Sequence, residues 1–277
     1  MRAFAERSKQ TQNDSENATM RTPLLLAAMM NQLLLLVSCT ATLPTLPSVP
    51  SPPEPSSFET ANASLSYARI GEATRVWQDK QSTPFDQALA AFRLAQETSN
   101  SSWSREAIGQ FKALRKADSN KHAQAYLGAS HALAARNFPL QGWWMIIPGP
   151  GFVRLYHVQR AFFHLNTAVE IAPTEPIARL IRAATLTSMS NMFGGHDQGM
   201  VDFALINRWV TRDELNPEHQ LIVASPRYQE EFWLSYARAL DRLDRPGEAL
   251  TYWRHLLQAQ SNPGIVKLAQ WRLATGG

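Results

Sequence analysis

Residues 160–176, RAFFHLNTAVEIAPTEP, decide the fold class of this chain. Ala161 and Ala168 are seven positions apart, and Leu165 lies between them. On one helix face, two small side chains let a neighbouring helix approach closely, and the large one fills the remaining space. Pro173 cannot continue a helix because it has no backbone N–H. The stretch predicts a closely packed helix that ends before Pro173, and we expect an all-α fold.

The same pattern recurs in two other segments. In each, one alanine precedes another by twelve positions, and large residues follow the second alanine at offsets of four and seven. These residues are Ala95, Ala107, Phe111 and Leu114 in the first segment, and Ala237, Ala249, Trp253 and Leu256 in the second. A fixed spacing of small and large residues is typical of repeated helical hairpins.

Tyr126-Leu127-Gly128 supplies a large-small pair upstream of Ala161. Together these patterns resemble the tetratricopeptide (TPR) repeat family, in which each repeat is a hairpin of two helices. The resemblance covers residues 85–274 and implies an antiparallel solenoid of roughly 3–4 repeats with capping helices. An irregular helical bundle with coincidental small residues is the alternative.

Two insertions interrupt the predicted repeats, one between Gly128 and Ala161 and one between Ala183 and its best match, Met200. The first contains residues 140–152, which are apolar, aromatic and rich in Gly and Pro, so we expect a loop. Its aromatic residues either expose a contact surface for a partner or a lipid, or fold back to plug the solenoid. They are Trp143, Trp144 and Phe152. The second, at 192–197, is expected to be a turn with a surface histidine, His196.

Two more helices are expected at the ends of this region. Residues 58–80 predict a helix packed on the N-terminal end, and a helix that starts at Pro263 suits a terminal cap. We therefore expect residues 58–277 to form the helical-repeat domain.

The N-terminal part of the sequence predicts a secretory leader followed by a lipid attachment site. Residues 23–38 form an apolar stretch too short for a membrane span. It ends in Leu36-Val37-Ser38-Cys39, which resembles a bacterial lipobox. The resemblance implies a leader at 1–38, with Met20 as an alternative start, and lipidation of Cys39. A buried thiol that happens to follow a leader is the alternative for the only cysteine of the chain.

Residues 39–57 are rich in Pro, Ser and Thr and predict an extended tether, with a disordered tail of no geometric role as the alternative. Thr40 follows the cysteine where an aspartate would retain an enterobacterial lipoprotein at the inner membrane. By resemblance, the expected location is the cell envelope, at the outer membrane facing the periplasm.

The predicted repeats place one set of residues on the concave groove: His122, Ala125, Ala129, Ile177, Leu180, Ala184, Glu231, Leu234, Arg238 and Asp241. Of these, the polar residues His122, Glu231, Arg238 and Asp241, together with Trp143 and Trp144, are the candidate partner-binding residues. An ordinary solvated helix face is the alternative for the charged group.

Signals for catalysis and for metal or nucleic-acid binding are absent from the sequence. It contains no phosphate-binding loop, no HExxH, no GxSxG and no paired cysteines. The formal net charge of +4 is mild and no basic run is interleaved with aromatic residues. We therefore expect no enzyme activity, no cofactor, no metal and no nucleic-acid partner.

Two functions of different classes fit these observations. The first is a lipid-anchored TPR scaffold that binds an envelope protein through its groove. The alternative is a small-molecule or lipid-binding periplasmic lipoprotein associated with a transporter. Homo-oligomerisation that buries the aromatic loop is a further possibility.

Overall fold

The structure, a computed structural model, describes residues 58–117, 122–139, 149–190, 193–259 and 262–275. Within these ranges the fold is all-α, with eleven helices and no strand. The predicted leader, Cys39 and the tether lie outside the described residues, as do Trp143 and Trp144. No described helix is long and apolar enough to cross a membrane.

The helices are α1 (Phe58–Gln78), α2 (Pro84–Thr98), α3 (Ser101–Lys116), α4 (Ala123–Arg136), α5 (Pro150–Ile171), α6 (Pro176–Ser188), α7 (His196–Thr211), α8 (Pro217–Ala224), α9 (Pro226–Arg242), α10 (Pro246–Gln258) and α11 (Pro263–Thr275). Many start at proline, whose fixed φ suits the first turn and whose missing N–H costs nothing there. Side chains also cap some of these first turns: Thr83 accepts from the Asp86 amide at 3.1 Å in α2, and Asn216 accepts from the His219 amide at 2.8 Å in α8.

Helices adjacent in sequence pack as hairpins, α2 with α3, α4 with α5, α6 with α7 and α9 with α10. The predicted close approach is present between α4 and α5. A Cβ atom on Gly128 would lie only 2.8 Å from Leu165 Cγ and 3.1 Å from the Ala161 carbonyl oxygen. In the α6–α7 hairpin, however, the small residue at the close contact with Ala183 is Gly199 and not the predicted Met200. A Cβ atom on Gly199 would lie 3.0 Å from the Ala183 carbonyl oxygen. The sequence match there was wrong by one residue.

The first and last helices contact each other, which closes the eleven helices into a ring. Leu65 of α1 belongs to the same buried cluster as Ile265 and Leu268 of α11. α1 packs against α2 at the N-terminal end, as predicted, but it also contacts α11. The prediction that α11 caps an exposed end is therefore wrong. Each covers the apolar face that the other would leave exposed, because an apolar stripe is most stable when another element buries it.

Polar contacts also join α1 to α9 across this closure. Arg238 donates to Asn62 Oδ1 at 2.7 Å. Arg69 lies 3.5 Å from both Glu97 and Glu231. Charged groups of three helices thus meet on the inner side of the ring.

The insertions are partly helical. Gly149 has a φ of 116°, a conformation that favours glycine, and α5 begins immediately after it. The predicted loop at 140–152 is therefore wrong for its last three residues; residues 140–148 lie outside the described part.

The Phe152 side chain is 68% exposed, so Phe152 does not plug the interior. His196 belongs to α7 and is half-buried, 2.7 Å from the Met189 carbonyl, so it is not a plain surface residue.

Asp202 is the most deeply buried charged side chain of the α6–α7 hairpin. It accepts from Arg182 at 2.6 Å and 2.8 Å, and from Arg179 at 2.6 Å. A carboxylate held by two guanidinium groups is satisfied by charge-assisted hydrogen bonds. This network fixes the two helices of the hairpin relative to each other.

Candidate functional site

The ring encloses a cavity of about 600 Å³. Its wall is formed by side chains of α1, α2, α4, α5, α6, α8 and α9, which are the helices on the inner side of the ring. A volume of this size lies within the range of small-molecule sites, roughly 300–1,000 Å³.

One part of the wall is aromatic and comes from α2 and α4. Tyr126 stacks on Phe111 with ring centroids 5.2 Å apart. Phe85 and Phe92 meet the edge of Tyr126 at 5.7 Å and 5.5 Å. These ring contacts hold Phe85, Phe92 and Tyr126 in one rigid surface that faces the cavity.

Another part of the wall is aliphatic and comes from α6, α8 and α9. Ile177, Leu180, Ile222 and Leu234 line the cavity there. Leu234 and Leu180 also belong to the main buried cluster of the domain, so their positions are fixed by packing. Apolar surface therefore borders the cavity from two sides.

The charged groups of the wall are mainly arginines. Seven arginines line the cavity: Arg69, Arg93, Arg136, Arg154, Arg227, Arg238 and Arg242. Only two carboxylates, Asp86 and Glu231, are among the described lining residues. The cavity therefore carries a marked excess of positive charge, although the whole chain has a formal net charge of only +4.

Glu231 lies within the arginine group. Burial acts to raise its pKa, but the charges of Arg69, Arg93, Arg238 and Arg227 outweigh that effect and leave the pKa lowered. Its side chain keeps 41% of its surface accessible because it faces the cavity. Glu231 is therefore an ionised carboxylate surrounded by four guanidinium groups.

The arginines also repel one another. Burial and the charge of Arg69 lower the pKa of Arg238 to about 10. Burial and the charge of Arg136 likewise lower the pKa of Arg242. Because both groups stay protonated at neutral pH, the wall holds positive charge that its own carboxylates do not neutralise.

A second cavity of about 420 Å³ adjoins the first and shares five lining residues with it, Arg69, Gln96, Arg136, Arg238 and Arg242. Asp241 lines this second cavity but is already engaged. It accepts from Arg272 at 2.8 Å and 3.1 Å, and from the Trp253 indole at 3.2 Å. These contacts tie α9 to α10 and α11.

Most of the predicted groove residues line the main cavity: Ala129, Ile177, Leu180, Ala184, Glu231, Leu234 and Arg238. Three do not. Asp241 lines the second cavity. Ala125 is buried in a separate cluster with Ala168 and Ala178, between helices. His122 lies 3.9 Å from the buried Glu175 and lines neither cavity.

The sequence did not reveal the six other arginines of the main cavity. On α9 the spacing could have indicated them, because charged residues at helical intervals share one face. These residues are Arg227, Glu231, Arg238 and Arg242. For Arg69, Arg93, Arg136 and Arg154 no local signal exists, since four different helices bring them to the same space.

Three histidines pack between α4 and α5. His131 Nδ1 and His157 Nδ1 are 2.9 Å apart, and the His131 ring stacks on His164 with centroids 5.6 Å apart. Burial and the neighbouring histidines lower the pKa of His131 to about 3, and burial lowers that of His164 to about 4. The described residues contain no group of three side chains placed to hold a metal ion. The three histidines act as neutral packing groups at neutral pH.

The cavity wall offers guanidinium donors beside apolar surface. Such donors bind carboxylates and phosphates in bidentate geometry, and apolar walls bind hydrocarbon or aromatic groups. The arrangement is therefore suited to binding and orienting a ligand. Comparisons with models of protein families, with curated proteins and with solved structures found no match for this chain.

Proposed function

We propose that this chain is a lipid-anchored, non-enzymatic binding protein of the bacterial cell envelope, which takes a small-molecule ligand into the cavity of a TPR-like ring. The observation that carries the proposal is the cavity of about 600 Å³, with charged groups that converge on an apolar wall. A well-formed cavity of that composition is the usual form of a small-molecule site.

The closed ring favours a small ligand over a protein partner bound in an open groove. Because α1 contacts α11, the inner surface is bounded on all sides of the ring. A stable protein interface buries about 800 Å² on each partner, which requires a broad surface, whereas a cavity of about 600 Å³ has the size of a small-molecule site. A small molecule needs only an opening and a lining of fixed side chains.

The TPR-like character rests on the contacts of small residues in the hairpins. Gly128 lies so close to Ala161 and Leu165 that a Cβ atom there would be 3.1 Å from the Ala161 carbonyl oxygen and 2.8 Å from Leu165 Cγ. Ala237 and Ala249 are fully buried, twelve positions apart, in the α9–α10 hairpin. The ring closure is a departure from the open superhelix of that family.

The envelope location rests on the lipobox Leu36-Val37-Ser38-Cys39 and on the Pro-rich tether at 39–57. Two or more acyl chains hold a protein stably on a membrane, since each buried methylene contributes about 0.8 kcal/mol. With Thr40 after the cysteine, the proposed site is the outer membrane, facing the periplasm. A binding protein in that place would deliver its ligand to an envelope partner, such as a transporter.

The test is whether a ligand co-purifies with the full chain. We expect native mass spectrometry of the detergent-extracted chain to show a bound small molecule. Ala184→Trp places a large side chain inside the cavity and should weaken or abolish the adduct, because Ala184 lines the wall. Ala274→Trp is the matched control, since Ala274 is exposed on α11. An adduct that survives Ala184→Trp, or no adduct in any variant, would count against the proposal.

A scaffold function is the second candidate, and the outer face of α5 supports it. Phe152, Tyr156 and Phe163 are 68%, 51% and 54% exposed on that face. The Arg160 guanidinium lies over the Tyr156 and Phe163 rings, at 5.8 Å and 5.6 Å from their centroids. Exposed aromatic groups on one helix face often mark a protein contact. Chemical crosslinking in cells should then be lost on Tyr156→Glu, and light scattering would show whether the partner is a second copy.

A further inference from the structure

The wall of the main cavity has far more positive than negative charge. Seven arginines face two carboxylates, and Asp86 is already occupied, because Thr83 donates its hydroxyl to Asp86 Oδ2 at 2.6 Å. Glu231 is the other carboxylate among the described lining residues, and Glu97, which lines only the second cavity, also pairs with Arg69. Like charges brought together in a partly desolvated space destabilise one another, so an anion that enters this cavity is attracted.

Several of these arginines are held by the protein itself. Arg69 lies between Glu97 and Glu231. Arg136 donates to the Gln96 carbonyl at 2.7 Å, and Arg238 donates to Asn62. These groups shape the wall and contribute to its field.

Arg93 and Arg227 differ from the others. Among the described residues, neither makes a side-chain hydrogen bond or an ion pair within 4.0 Å. Both line the cavity, Arg93 from α2 and Arg227 from the first turn of α9. Their guanidinium donors are therefore available to a ligand.

The two arginines lie near the same aromatic surface. Burial raises the pKa of Tyr126, whereas the charges of Arg93 and Arg227 act in the opposite direction. Both charges also act on Glu231. Arg93 directly follows Phe92, whose ring contacts Tyr126. Arg93, Arg227 and the aromatic residues thus all line the same cavity.

We infer that the ligand is an amphiphilic organic anion, with its carboxylate or phosphate group bound by Arg93 and Arg227 and its apolar part against Phe85, Phe92 and Tyr126. The inference rests on the proposed function, because it specifies the ligand of the same cavity. Guanidinium groups bind both kinds of anion in bidentate geometry, which selects anions over neutral and cationic molecules. The aromatic and aliphatic walls select anions that carry an apolar group over small hydrated ones.

The experiment compares three probes on the full chain in a non-ionic detergent. 4-Phenylbutyrate carries both features, 4-phenylbutan-1-ol lacks the charge, and inorganic phosphate lacks the apolar group. We expect isothermal titration calorimetry to show that 4-phenylbutyrate binds at least about tenfold more tightly than either other probe, a difference of about 1.4 kcal/mol. The comparison of the acid with the alcohol tests the role of the ligand charge on the wild-type chain, without any substitution.

Variants then assign the anion-binding groups. The double substitution Arg93→Gln and Arg227→Gln should lower the affinity for 4-phenylbutyrate by at least about tenfold, because two charge-assisted contacts are lost. It should leave the alcohol unchanged. Arg75→Gln with Arg254→Gln is the matched control. Both residues are exposed and lie outside the cavity, and the two substitutions remove the same amount of charge. This control should bind like the wild type.

The outcomes separate the two proposals. If acid and alcohol bind equally and Ala184→Trp blocks both, the cavity binds ligands but the anionic class is wrong. If 4-phenylbutyrate does not bind at millimolar concentration, or binds equally to the Arg93→Gln/Arg227→Gln variant, the inference is overturned. If binding survives Ala184→Trp, the cavity is not the site and the proposed function fails as well.

Discussion

Gly128 gives the sharpest test of the packing in this fold, because two glycines of the same chain should respond to alanine with opposite sign. A Cβ atom on Gly128 would lie 2.8 Å from Leu165 Cγ, 2.9 Å from the Leu165 amide nitrogen and 3.1 Å from the Ala161 carbonyl oxygen. Two of these neighbours are backbone atoms, which no rotamer change can move away. Gly109, in the middle of α3, has no atom within 4 Å of its Cβ position.

The magnitudes follow from two opposing effects. Replacing glycine with alanine inside a helix stabilises it by about 1 kcal/mol through backbone entropy and helix propensity. Gly109→Ala should gain this amount without hindrance. At Gly128, the added methyl forces α4 and α5 apart, and overpacking of this kind costs roughly 1–3 kcal/mol. Since the separation also weakens the contacts around Leu165, which is fully buried, we expect Gly128→Ala to destabilise by about 1–2 kcal/mol net.

The assay is urea unfolding of the full chain followed by far-UV circular dichroism, with thermal unfolding alongside. For a domain of this size, 1 kcal/mol corresponds to a shift in Tm of about 2–4 °C. We expect Gly128→Ala to lower Tm and Gly109→Ala to raise it. If Gly128→Ala is as stable as the wild type or more so, α4 and α5 do not approach as closely as described, and the small-residue argument is refuted.

Three further changes test other parts of the molecule. Asp202→Asn should destabilise by about 3–5 kcal/mol in urea unfolding because it leaves the buried Arg182 and the partly buried Arg179 without a counter-charge, whereas Glu248→Gln in an exposed pair should cost less than about 1 kcal/mol; equal effects would contradict the buried role. The pKa values of about 3 for His131 and about 4 for His164 lie below the usual 6.5, so the unfolded chain binds more protons as the pH falls. The free energy of unfolding should therefore be fully retained above pH 6.5 and decrease towards pH 4 by up to about 1.4 kcal/mol per pH unit for each histidine, and His131→Gln should reduce that slope in urea titrations. Cys39→Ser should move the chain from the membrane to the soluble fraction without changing its circular dichroism spectrum, and retention in the membrane fraction would contradict lipidation.

Much of the helical organisation could be predicted because it depends on local patterns. The helix at 58–80 and the one starting at Pro263 were predicted within two residues of α1 and α11 at the ends that were specified. The contact of Gly128 with Ala161 and Leu165 followed from the spacing of small and large residues. Seven of the ten predicted groove residues line the cavity, because helical periodicity fixes which residues share a face.

The errors arose where a local pattern was ambiguous. Met200 and Gly199 are adjacent, and the shift introduced by an insertion left the spacing unable to distinguish them. Residues 150–152 were predicted to be loop because of the Gly-Pro-Gly sequence at 149–151. Proline at the first helical position is nevertheless compatible with a helix start. Asp202 gave no sign that it would be buried, since its partners Arg179 and Arg182 lie on the preceding helix.

The sequence by itself determined that the described region is helical and which small residues allow the helices to approach, because these properties depend on residues within about one to two helical turns of each other. The proposals of a lipobox at 36–39 and of a tether at 39–57 also rest on the sequence alone, because both are linear motifs. Only the tertiary structure decided that α1 meets α11, because that contact joins residues nearly 200 positions apart and depends on the summed rotation of every hairpin between them. The same closure turned the expected groove into a cavity and brought arginines from α1, α2, α4, α5 and α9 to one space. No local pattern encodes that convergence.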